Sequence, residues 1–122
     1  MSKSTNIVSL ETLSCSAGWR NYYFVKVVTD DGVTGWSEFD EGFGSPGVGA
    51  VINELSHRVV GHSVMQHERI REDLFCATRP GAGGVVGQAL GAIENALLDA
   101  KAKTLGVPCY QLLGGKIRDQ LR

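Results

Sequence analysis

The sequence predicts an α+β domain: a three-stranded antiparallel β-meander followed by three to four helices. Three observations predict it. Strand-like segments fill about the first forty residues with no helix between them. A short turn signal, DDG at 30–32, sits between the second and third of these segments. The remaining chain carries apolar residues at helical spacing, broken by glycine and proline.

The elements follow in order. Residues 5–14, TNIVSLETLS, hold Ile7 and Val8 with looser alternation through Leu10 and Leu13, the pattern of a first strand. Residues 21–30, NYYFVKVVTD, are dominated by aromatic and β-branched side chains, which suit a pleated chain. After the turn, VTGWSEF at 33–39 alternates as the return strand. Such a small sheet is marginal alone in water, so it needs helices on one face. Ser45 followed by Pro46 predicts a helix start, with the hydroxyl as cap and proline at the first helical position. Val48, Val51, Ile52, Leu55 and Val59 then keep helical spacing, and Gly61 is placed to end that segment in the left-handed conformation. Ser63 and Gln66 form a capping-box pair for the next helix, with its buried face expected at Ile70, Leu74, Phe75 and Ala77. RPGAGG at 79–84 breaks that helix.

The longest helix is expected from about Gly84 to Leu105. At 100° per residue, Val86, Ala89, Leu90, Ile93, Ala96, Leu97 and Ala100 share one face. Gly87, Gly91, Leu98, Ala102 and Leu105 form a second stripe nearly opposite, rich in small residues that let another backbone approach. Glu94, Asp99, Lys101 and Lys103 lie in the polar seams between. Gly106 and Pro108 end the helix, and PCYQLL adds a last turn or two before Gly114 and Gly115. KIRDQLR at 116–122 is polar and expected to be extended.

The totals narrow the function. A chain of 122 residues is one domain, able to bury roughly two thirds of its unfolded surface. Lys plus Arg number 12 against 13 Asp plus Glu, a balance that argues against nucleic acid or an anionic membrane as partner. No apolar run is long enough to span a bilayer, and the N-terminus lacks the basic-then-apolar layout of a secretory signal, so a cytoplasmic protein is expected. Cys15, Cys76 and Cys109 include no CxxC pair and are expected as reduced, mostly buried thiols. Glycine stands at 16 residues, well above the usual ~7%, in clusters that read as loops, caps and close contacts.

No complete catalytic constellation is visible. GAGGVVG at 81–87 fits neither phosphate-loop pattern and follows a helix instead of a strand, so it reads as a helix start. His57, His62 and His67 share no helical face and read as solvated histidines. Glu38, Asp40 and Glu41 lack a partner base or second acid cluster and read as a polar strand end. The loop CSAGWRNY at 15–22 is more suggestive. Arg20 offers a fork for a carboxylate and Trp19 a surface that excludes water. The competing reading is a Trp19 that packs on its own domain.

One segment carries a family resemblance. ALGAIENALLDAKAKTLGVPCYQLLG at 89–114 resembles a signature of the enolase superfamily, in its mandelate racemase/muconate lactonizing enzyme branch. The match runs through Ala89, Gly91, Ala92, Ile93, Glu94, Ala96, Leu97, Asp99, Ala100, Ala102, Lys103, Pro108, Leu112, Leu113 and Gly114. Cys109 departs from it, standing where an aliphatic residue is usual. TDDGVTGWSE at 29–38 resembles the family's second hairpin, so the resemblance covers nearly all of the chain.

The resemblance implies a division of labour. An N-terminal α+β domain, here 1–115, caps the substrate with two loops, and 116–122 starts a linker to a (β/α)7β barrel. The barrel is absent from this chain, since one needs about 250 residues. It would supply the Mg2+ ligands and the bases that remove a proton α to a carboxylate. The isolated chain is therefore expected to be inactive, a fragment or truncated product whose Mg2+ ligands lie elsewhere. The capping loops correspond to about 15–21 and 39–47. Their expected substrate contacts are Trp19, Arg20 and Asn21, then Phe43, Gly44 and Ser45. The first loop most resembles members that dehydrate acid sugars, with racemases and cycloisomerases as alternatives. A small carboxylate or sugar acid, the missing barrel and other copies of the chain are the expected partners. Two other readings are a stand-alone interaction module that self-associates through the second stripe and a small-ligand module built on Trp19 and Arg20.

Overall fold

The computed structural model describes residues 4–122. Strands β1 (Ile7–Ser16), β2 (Asn21–Thr29) and β3 (Thr34–Phe39) form one antiparallel sheet in that order. Helices α1 (Val48–Leu55), α2 (His67–Thr78), α3 (Gly84–Leu105) and α4 (Cys109–Leu112) follow. The class and order of elements are those expected.

The sheet buries one face. Ile7 and Leu10, Val25 and Val27, and Phe39 point inward from the three strands. Ile7 and Leu10 share a face although three residues apart, because the register of β1 shifts between Ile7 and Ser9. They meet Val48, Ile52 and Leu55 of α1, Ile70 and Leu74 of α2, and Ile93, Leu97 and four alanines of α3.

Small residues set how close α3 lies to the sheet. A Cβ on Gly35 would stand 2.2 Å from the Ala96 carbonyl oxygen and 2.7 Å from the Ala100 Cβ. Only glycine on β3 and alanine on α3 permit that approach. Polar groups then close the outer edge of β3. The Trp36 amide donates to Asp99 Oδ2 at 2.9 Å, and Lys103 Nζ donates to the Thr34 carbonyl at 2.9 Å while pairing with Asp99. Ser37 Oγ donates to the Ala92 carbonyl at 2.6 Å. An edge that would otherwise template pairing with another chain is thereby satisfied from within.

Several local expectations change. Helix α1 begins at Val48, not after Ser45, and its N-cap is Gly47 with φ 96°. Ser45 is buried, and its amide donates to the Gly42 carbonyl. The cap comes from Glu41: Oε1 accepts from the Gly47 amide and Oε2 from the Gly49 amide, both at 2.7 Å. A carboxylate satisfies two orphan donors and the helix dipole together, so it displaces the weaker hydroxyl. Ser63 Oγ accepts from the Met65 amide and caps the 3-10 turn Val64–Gln66 that precedes α2. Phe75 and Ala77 face solvent on α2, which buries only Ile70 and Leu74. Cys15 and Cys76 are exposed and Cys109 half-buried, so the thiols are unpaired but not mostly buried.

The second stripe of α3 is only partly covered, with Leu105 exposed. Gly87 and Gly91 line a groove against Phe75 and Thr78 of α2, whereas Ala102 is buried nearer the C-terminal end of the helix. Gly106, at φ 70°, ends α3 as expected.

Candidate functional site

The candidate site forms where two connections meet at one end of the sheet. The β1–β2 connection is shorter than expected. Pairing continues through Cys15↔Tyr22 and Ser16↔Asn21, leaving a turn from Ala17 to Arg20 closed by the Ala17 amide donating to the Arg20 carbonyl at 2.8 Å. Gly18, at φ 86°, supplies the left-handed residue this turn needs. The second connection, 40–47, leaves β3 after Phe39. Because Tyr23 pairs with Phe39, and their rings pack at 5.7 Å, the two connections lie side by side.

Between them is a cleft of about 160 Å3, lined by Arg20, Asn21, Tyr23, Asp40, Glu41, Gly42 and Phe43. Its volume is well below the ~300 Å3 at which enclosed ligand pockets begin.

Arg20 dominates the chemistry of the cleft. Its guanidinium carbon lies 4.3 Å from the centroid of the Tyr22 ring and 5.5 Å from that of Trp19, and the two rings meet edge to face. Stacking on ring faces holds a guanidinium without using its N–H groups. Among the described residues the guanidinium donates no hydrogen bond and joins no ion pair, although two carboxylates line the same cleft. Those carboxylates are otherwise engaged. Glu41 caps α1 with both oxygens, and Asp40 Oδ1 accepts from the Gly42 amide at 3.2 Å.

The sequence-predicted residues separate into two groups. Arg20, Asn21 and Phe43 come together around the cleft. Trp19 stands 77% exposed at its rim and supports Arg20, so its packing partners are the cation and Tyr22, not the core. Phe43 is 94% exposed with φ 47°, a conformation that costs a non-glycine residue about 1 kcal/mol or more. Gly44 is exposed, with φ 92°, and lies outside the lining, as does the buried Ser45.

Sequence reasoning passed over Tyr22 and Tyr23 and read Glu41 only as part of a polar strand end. The available signals were two tyrosines directly following Arg20–Asn21 and an acid six residues before the N-cap Gly47. Among the histidines, His67 departs from the solvated reading. Its side chain is 14% exposed, and Nδ1 accepts from Lys101 Nζ at 3.2 Å. Burial and then the Lys101 charge lower its pKa from the usual 6.5, against smaller opposing effects of Glu68 and Glu94.

This geometry can be set beside known proteins. Residues 4–114 match the family model of the mandelate racemase/muconate lactonizing enzyme N-terminal domain. The chain belongs to the mandelate racemase/muconate lactonizing enzyme family. Its three-stranded sheet and following helices are the N-terminal capping domain of that branch of the enolase superfamily. It is 37% identical over 116 residues to a D-galactonate dehydratase of Xanthomonas euvesicatoria, covering 95% of this chain and 30% of that protein. It is 68% identical, with a TM-score of 0.92, to a putative L-alanine-DL-glutamate epimerase of Burkholderia xenovorans solved with magnesium and fumarate, covering 95% of this chain and 29% of that one. A putative galactarate dehydratase of Agrobacterium radiobacter, solved with sodium and L-malate, gives 27% identity and a TM-score of 0.85 over 95% of this chain and 29% of that one. The chain thus spans about 30% of the length of the relatives it matches.

The residues of this mandelate racemase/muconate lactonizing enzyme domain do not fit a magnesium site. Among the described residues, no three His, Cys, Asp or Glu side chains are grouped to hold a metal ion. The acids of the cleft already accept from backbone amides, as capping and turn residues do. Nor is any helix among the described residues long and apolar enough to cross a membrane.

Proposed function

We propose that this chain is the substrate-capping domain of a Mg2+-dependent enzyme that abstracts a proton α to a carboxylate, and that the enzyme dehydrates an acid sugar. The observation that carries this reading is Arg20. A guanidinium clamped by Trp19 and Tyr22, with its N–H groups unspent, faces a cleft between the two connections that lie together at one end of the sheet. Such a fork matches a carboxylate. The likeness to a D-galactonate dehydratase over 95% of the chain supports the reaction class. The small acids fumarate and L-malate in the two structural neighbours support an acidic substrate, and the magnesium in one supports the metal. Three unpaired thiols suit a reducing compartment such as the cytoplasm.

Among the described residues no three His, Cys, Asp or Glu side chains are grouped to hold a metal ion, and the isolated chain is inactive in this reading. What it contributes is positioning and exclusion of water. Trp19, Phe43 and Tyr23 supply apolar surface, and Arg20 supplies the anion contact. The epimerase-type neighbour favours a second reading, in which the proton is returned to the same carbon without loss of water.

Both readings are tested by incubating the full-length protein with Mg2+ and a panel of acid sugars in D2O. A deoxy-keto acid product supports the dehydratase. Deuterium at the α carbon with no loss of water supports the epimerase or racemase. Neither result across the panel contradicts the proposal.

A further inference from the structure

We propose that the domain carries a second binding site, a basic cleft remote from Arg20, and that it takes a phosphate group. The cleft holds about 300 Å3 and is lined by Arg58, His62, Arg69, Ile70 and Asp73. That is the size at which ligand pockets begin. Its place follows from β1. The Ile7 amide donates to the His62 carbonyl at 2.9 Å, and the Gly61 amide to the Ile7 carbonyl at 2.8 Å. Ile7 begins β1, whereas Ser16, beside the turn that carries Arg20, ends it. At about 3.3 Å per residue the two ends of that strand lie roughly 30 Å apart, too far for one small metabolite to reach both clefts.

The backbone that presents the donors is fixed. Arg58 ends the 3-10 turn Ser56–Arg58, and the next residue, Val59, is buried. His62 is tied to β1 by the bonds above. Arg69 and Asp73 stand one turn apart on α2, whose Ile70 belongs to the core. The side chains are far less committed. Among the described residues Arg69 and the His62 ring make no hydrogen bond or ion pair, and Arg58 makes only an ion pair with Asp73, at 3.5 Å.

Two guanidinium groups and an imidazole stand against one carboxylate, so the lining is net positive in a chain whose total is -1. Holding like charges around one cavity is unfavourable, and a bound anion relieves it. The donors come from the turn after α1, the loop that meets β1, and α2. A carboxylate has two oxygens in one plane and suits a single fork. A phosphate keeps three acceptor oxygens when esterified, pointing in three directions, and so fits donors arriving from three sides.

The site is tested by calorimetric titration of the full-length protein with inorganic phosphate and with glycerol 3-phosphate at constant ionic strength. The variants are Arg58→Gln, Arg69→Gln, Arg69→Lys and Arg79→Gln. Arg79 is exposed and outside the cleft, so it controls for net charge. Saturable binding is expected, weakened about tenfold by Arg58→Gln and by Arg69→Gln, as loss of a charged hydrogen-bond donor does. Arg69→Lys, which keeps the charge without the fork, should fall between, and Arg79→Gln should bind as the wild type does. The replaced side chains are exposed and make no hydrogen bond, so the fold should persist, with thermal midpoints as the check. Tighter binding of the ester assigns the site to a phosphorylated metabolite and tighter binding of the ion to free phosphate, and both support it. Absence of saturable binding by either probe overturns the proposal. So does binding that both Arg58→Gln and Arg69→Gln leave intact, or that Arg79→Gln weakens equally.

Discussion

Gly35 is where the fold is least tolerant of change. The Ala96 carbonyl and the Ala100 side chain occupy the space a Cβ would need, and both belong to a rigid helix rather than a flexible side chain. Gly35→Ala should destabilise the domain by at least about 1–3 kcal/mol, read as a lower denaturant midpoint. The sequence placed Gly35 in a strand but not beneath a helix, because contact across some sixty residues leaves no local pattern. His67 was missed for a related reason. Its burial and its lysine partner come from α3, not from its own helix. Since its pKa is lowered in the folded state, the unfolded chain takes up the proton first on acidification. The stabilising effect of a neutral His67 is present above pH 6.5 and is lost as pH falls through that value and the lower folded one. His67→Gln should therefore lose less stability than the wild type between pH 7 and pH 5, measured by thermal unfolding at each pH.

Among the elements, the connection 40–47 shows how a local rule can be outbid. Ser45–Pro46 is a sound helix-start signal, and the helix does begin close by. Yet the Glu41 carboxylate reaches the Gly47 and Gly49 amides first, and a charged acceptor at a helix N-terminus outweighs a hydroxyl. Gly49 makes room for it, since a Cβ there would meet Glu41 Oε2 at 3.2 Å. Glu41→Ala should cost about 1–2 kcal/mol, as loss of a strong cap does, and should expose 40–47 to limited proteolysis. Glu41→Gln, which keeps one acceptor, should fall between. Unchanged stability in Glu41→Ala would refute the clamp. The strands and α3 were legible for the opposite reason: period-two alternation, the DDG turn and a 22-residue helical pattern are local, and nothing distant overrides them. The two stripes of α3 were legible as a pattern, but not the groove that Gly87 and Gly91 of the second form with α2.

For the whole molecule, the sequence was informative about family and only partly about site. The 89–114 signature proves to be largely architectural. Ala96 and Ala100 admit β3, Asp99 and Lys103 close its edge, and Glu94 pairs with Arg71 of α2 at 3.2 Å. Residues that build a scaffold identify a family well and say little about chemistry. The cleft on which the proposed function rests lies at the other end of the sheet, with Arg20 and the rings around it. The domain spans about 30% of the length of the relatives it matches, and its cleft is small. Leu113, Ile117 and Leu121 are all exposed on the C-terminal segment.

The central claim, that this domain acts by presenting Arg20 to an acidic substrate, is tested most directly by kcat/KM of the full-length protein and its Arg20→Ala variant on the preferred acid sugar. Thermal midpoints recorded on the same samples control for folding. A loss of tenfold or more, about 1.4 kcal/mol of transition-state stabilisation, is predicted with the midpoint unchanged. An unchanged kcat/KM, or a loss that merely follows a lowered midpoint, would contradict it.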